Sequence, residues 1–68
     1  MSKELEFLIF CMENYKVHRA LTGKQVYDLF EKYGVFQYVM EFYDVLHTTG
    51  YQYINHDIDS YLAARQAS

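Results

Sequence analysis

A chain of 68 residues has room for one domain, and a domain of this size buries only about 60% of the surface its unfolded form exposes. With 51% hydrophobic and 22% charged residues it is too apolar to remain disordered. The lone Cys11 excludes a disulfide framework, and a net charge of -3 argues against nucleic acid, whose binders carry a basic footprint.

Three glycines, Gly23, Gly34 and Gly50, punctuate a sequence that has no proline. The first predicted helix covers residues 3–19. Ser2 serves as its N-cap, and Glu4 and Glu6 sit in the first turns, where the macrodipole favours acid. Leu5, Leu8, Ile9, Met12 and Tyr15 recur at helical spacing on one face, and Phe7, Phe10, Cys11 and Val17 form a second apolar arc. A helix apolar on two sides is a sandwiched one, either at the centre of the domain or at an oligomer interface.

The second helix, 23–33, has the clearest start signal. Thr22-Gly-Lys-Gln25 is a capping box, flanked by Leu21 and Val26 at the staple positions. Val26, Leu29, Phe30 and Tyr33 give its core stripe, and Asp28 and Lys32 stand at i,i+4 spacing in the favourable order for an ion pair. Gly34 is placed to end it in a left-handed conformation. A third helix follows over 35–47, with Val35, Val39, Phe42 and Leu46 as its inner line, widened by Tyr38 and Val45. Tyr51-Gln-Tyr53-Ile54 alternates and suits either an extended segment or a loop. Asn55 then caps a short fourth helix over 56–66, with Asp57 and Asp59 in its first turn and Ile58, Tyr61 and Leu62 inward. The expected architecture is all-α, a compact single domain over 1–68 built from three main helices and a short C-terminal fourth.

Candidate chemistry is sparse. His56-Asp57-Ile-Asp59 looks like a ligand cluster, but a metal site needs three or four convergent donors, and no spacing brings His18 or His47 to it. His47 has no nucleophile or orienting carboxylate beside it, and a histidine there suits the end of a helix. Cys11 lies in an apolar stretch that raises a thiol pKa and so suppresses nucleophilicity. A small metal protein or enzyme using His47, His56 and Asp57 is therefore a minor alternative. Helices two and three, joined at Gly34, also suggest a helix-turn-helix, yet the would-be recognition helix carries Glu41 and Asp44 and no Lys or Arg. No catalytic residue, cofactor or metal is expected.

The stretch Leu21-Thr-Gly-Lys-Gln-Val-Tyr-Asp-Leu-Phe-Glu-Lys-Tyr-Gly-Val-Phe36, followed by Leu46-His-Thr-Thr-Gly50 and by the Asp-Ile-Asp of residues 57–59, resembles a small bacterial family of unknown function, the domain-of-unknown-function family "thirty-seven ninety-one". The Lys3-Glu-Leu-Glu-Phe-Leu-Ile-Phe run fits it as well. The resemblance implies a cytoplasmic accessory protein, with neighbours resembling ADP-ribosyltransferase toxins, and supplies no catalytic residues. The residues themselves carry a different expectation. Phe7, Phe10, Phe36, Met40, Tyr51 and Tyr53 exceed what one small core needs, which points to a non-enzymatic protein–protein interaction module that self-associates or holds a protein partner. The sequence offers no stretch suited to a membrane span or signal peptide.

Overall fold

The computed structural model describes residues 1–67. Five helices follow in chain order: α1 (Lys3–Arg19), α2 (Gly23–Tyr33), α3 (Val35–Glu41), α4 (Tyr43–Leu46) and α5 (Tyr51–Ala67). No strand occurs among the described residues, so the chain is all-α. At 1.5 Å per residue the two 17-residue helices, α1 and α5, are each about 25 Å long, comparable to the longest dimension of the molecule, 30 Å.

The starts and stops are set by identifiable devices. The Ser2 hydroxyl accepts from the Leu5 N–H at 3.0 Å. At α2 the Thr22 hydroxyl accepts from the Gln25 N–H (3.1 Å), and the Gln25 side chain accepts from the Thr22 N–H (2.9 Å), which completes a reciprocal capping box. Gly34, at φ 71°, ends α2 with its N–H on the Phe30 carbonyl and leads directly into α3. Asp28 pairs with Lys24 at 2.8 Å rather than with Lys32, whose ammonium lies over the Tyr33 ring.

Helix α1 ends differently. Its C-cap is Ala20, at φ 54° and ψ 46°, with its N–H directed to the carbonyls of Lys16 and Val17. A side chain in this left-handed region costs about 1–2 kcal/mol, which glycine avoids at some cost in unfolded-state entropy. Ala20→Gly is expected to stabilise the fold by about 0.5–1 kcal/mol, seen as a raised urea midpoint at unchanged slope.

Two element boundaries depart from the sequence reading, for physical reasons. The stretch expected as one helix over 35–47 bends at Phe42 (φ -103°, ψ 22°), which separates α3 from α4. The bend turns Phe42 and Val45 out of the core. Phe42 lies against Tyr38 with ring centres 5.1 Å apart, Val45 is 65% exposed, and Leu46 is carried inward. The last helix begins at Tyr51, not at residue 56, so it is as long as α1. Its first turn closes on Gly50, whose carbonyl accepts from the Ile54 N–H at 3.1 Å. The apparent alternation of residues 51–54 is the start of a helical stripe, since Ile54, Ile58 and Leu62 at i, i+4 and i+8 are all buried. Asn55 is therefore not a cap. It is buried inside α5, and its Oδ1 has no hydrogen-bond partner.

Cys11, Tyr15, Val26, Phe30, Val35, Val39, Leu46, Ile54, Ile58 and Leu62 form the core. Helix α1 contributes Cys11 and Tyr15, and it packs against α2, α3 and α5, which puts it at the centre of the bundle. Tyr15 and Phe30 meet with ring centres 5.5 Å apart, and Phe36 meets Phe30 edge-on at 5.6 Å. No helix of the described residues is long and apolar enough to cross a membrane.

Candidate functional site

Where the last turn of α1 meets the middle of α5, five polar side chains gather. On α1, Tyr15, His18 and Arg19 stand at i, i+3 and i+4 and so share a face; on α5, His56 and Asp59 stand at i and i+3. Asp59 is the hub. Its Oδ1 accepts from the Tyr15 hydroxyl at 2.6 Å and from Arg19 Nη1 at 3.2 Å, and its Oδ2 accepts from His18 Nε2 at 2.7 Å. The His18 and His56 rings meet edge-to-face, with centres 5.5 Å apart. Partial burial alone would raise the Asp59 carboxyl. The hydrogen bonds from Tyr15, His18 and Arg19, with the charge of His18, outweigh burial and hold it below its ordinary range. The Tyr15 phenol is pushed well above its ordinary value, first by burial and then by its bond to the ionised Asp59. Beside the hub lies a small pocket of about 130 Å³, lined by Tyr15, Arg19, Leu21, Leu29, Asp59 and Leu62 among others.

The neighbouring carboxylate of the same sequence cluster serves another helix. Asp57 Oδ2 accepts from the Tyr38 hydroxyl of α3 at 2.6 Å. Burial, and next the bond to Asp57, push the Tyr38 phenol up to about 12. Tyr38 also stacks on Tyr61 at 4.3 Å, and the Arg65 guanidinium lies over the Tyr61 ring. The two aspartates of Asp57-Ile-Asp59 thus fasten α5 to different partners, Asp57 to α3 and Asp59 to α1.

His47, His56 and Asp57 each have a separate set of contacts. His47 is the C-cap of α4; its Nδ1 donates to the Tyr43 carbonyl at 2.7 Å, and its ring stacks on Tyr43 at 4.4 Å. Cys11 is buried, and burial pushes its thiol up to about 12, the opposite of what a nucleophile needs. Helix α3 is seven residues long and carries Glu41 without a basic side chain.

Of the six aromatic and apolar residues singled out for an interface, Phe7 and Phe36 are half-buried against the core. Phe7 stacks on Phe10 at 6.1 Å and meets Tyr43 edge-on at 5.5 Å; Phe36 meets Tyr27 at 5.5 Å. Phe10, Met40, Tyr51 and Tyr53 are exposed. Leu5 and Ile9, from the first of the two apolar arcs of α1, are exposed too, as are Phe42 and Val45 of the expected inner line of residues 35–47. The inward line of α1 draws on both arcs, with Leu8, Met12 and Tyr15 from the first and Phe7 and Cys11 from the second.

The convergence of His18 with His56 and Asp59 is absent from the sequence reading because 41 residues separate His18 from Asp59. One signal does exist in the sequence. Tyr15/His18 and His56/Asp59 are both i,i+3 pairs, and each prepares one helical face for a polar partner.

The family model described as "Protein of unknown function (DUF3791)" matches residues 6–65. No curated protein and no solved structure matches the chain.

Proposed function

Because the chain belongs to the DUF3791 family, whose function is unknown, its role must come from its own surface, and we propose that it is a non-enzymatic protein–protein interaction module. One observation carries this reading: large apolar side chains remain exposed on α1 and along the α3–α4 stretch. Leu5, Ile9 and Phe10 are exposed on α1, and Met40, Phe42 and Val45 are exposed along α3 and α4. The Phe10–Phe7–Tyr43 ring contacts bridge the two sets. Monomeric soluble proteins seldom leave apolar residues clustered in this way, and such patches mark interaction sites. Glu6, Glu13, Glu41 and Asp44, close by in sequence, are exposed as well, which suits an interface whose apolar residues have polar neighbours.

The partner in this reading is a second copy of the chain or the product of a neighbouring gene. An ADP-ribosyltransferase-like toxin, with the chain as its antitoxin-like companion in a bacterial cytoplasm, fits the resemblance noted above. A lone, buried, reduced thiol suits that compartment. Sedimentation equilibrium at micromolar concentration, together with co-purification of neighbouring gene products, tests the proposal. The expected outcome is a mass above that of one chain or a retained neighbour, either of them reduced by Phe10→Glu combined with Met40→Glu. A single-chain mass with no retained protein would overturn it.

A further inference from the structure

We propose that His18, His56 and Asp59 form a site for a first-row divalent transition metal such as zinc, which would clip the last turn of α1 to the middle of α5. One ligand atom from each of the three side chains lies within 4.8 Å of the other two. Donors around one tetrahedral zinc ion at about 2.0–2.2 Å are about 3.3–3.6 Å apart. Small side-chain rotations therefore bring the three donors into range, and the two histidines are exposed enough to make them.

The donor chemistry selects the ion. Two imidazoles and one carboxylate suit zinc and its neighbours, whereas soft copper(I) wants thiolates, and calcium and magnesium want oxygen alone. The carboxylate is already oriented as a ligand. Tyr15 and Arg19 both hold Oδ1, which leaves Oδ2 facing the His18 ring. Outer hydrogen bonds of this kind fix ligand geometry in metal sites. His56 makes no side-chain hydrogen bond among the described residues; the edge of the His18 ring is its neighbour. The hydrogen bond between His18 Nε2 and Asp59 marks where the ion enters. If His18 coordinates through Nε2, the proton on that nitrogen leaves for solvent or moves to Nδ1, and the ion takes its place between the two groups. Three protein ligands leave at least one coordination position open to water.

The test is titration of the full chain, purified without an affinity tag, with zinc(II) by calorimetry and with cobalt(II) by its visible absorption. One ion per chain is expected. His56→Ala should weaken binding by about tenfold or more while leaving the helical circular-dichroism spectrum unchanged, and His47→Ala should bind like the parent. His18→Gln supplies an independent second ligand deletion. No saturable binding at sub-millimolar zinc, or equal binding by the parent and His56→Ala, would overturn the site.

Discussion

Phe30→Ala is expected to remove about 3–5 kcal/mol of stability, the range for deleting a fully buried phenylalanine. Phe30 has no exposure, and its ring is in contact with those of both Tyr15 and Phe36, so its removal strips packing from two neighbours at once. At about 0.05–0.15 kcal/mol per residue, the whole chain of 68 residues is stable by only about 3–10 kcal/mol. The substitution therefore removes from about a third to all of that margin. A urea melt followed by circular dichroism should show a midpoint lowered by at least about a third, down to a chain already largely unfolded at the low end of that range. A loss below about 1 kcal/mol, the level typical of an average point mutation, would mean that the core does not centre on this ring.

Asp59→Ala ranks second. Removing the carboxylate leaves the Tyr15 hydroxyl, on a side chain that is almost entirely buried, with no acceptor, and it also releases His18 and Arg19. An orphaned buried hydroxyl costs about 1–3 kcal/mol, and a loss of that order is expected at neutral pH. The pH dependence has a defined sign. The folded-state pKa of Asp59 is held below its ordinary value. Its contribution is therefore fully present above the unfolded carboxylate range and is lost as pH falls through the folded pKa. Stability of the parent should decline on acidification below about pH 5, and Asp59→Ala should decline less steeply. Asp59→Asn sharpens the comparison, because its amide oxygen can still accept from Tyr15. It should recover part of the lost stability at neutral pH while keeping the shallower acid limb. Equal acid slopes in all three proteins would remove Asp59 from this role.

Local devices were legible in the sequence, and long-range geometry was not. The Thr22–Gln25 box, the Ser2 cap and the Gly34 stop each involve residues three or four apart, so the chain states them directly. The bend at Phe42 left no such trace. No proline or glycine marks it, and the apolar period runs through it unbroken, because both faces of residues 35–47 are greasy. The same ambiguity left the inward side of α1 open. With two apolar arcs on α1, spacing alone cannot say which one faces the core, and packing against three other helices decides it. At α5, a β-like alternation of four residues competed with a helical stripe anchored at Ile54, and burial of the stripe won. The polar hub was half legible: His56 and Asp59 stood out, but His18 joins them only through the meeting of α1 and α5.

Cys11 has a consequence in time rather than in space. Its side chain is buried in the core and burial pushes its thiol up to about 12, so the folded chain shields it from oxidants and alkylating agents. The thiol is open to them only while the core is open. An adduct added there has no room inside a close-packed interior, so a chain modified during that interval cannot close again. Each opening is thus a brief exposure to loss, permanent where the thiol is alkylated or oxidised as far as sulfinic or sulfonic acid. The chemical lifetime of the molecule is set by how seldom, and how briefly, its core comes apart.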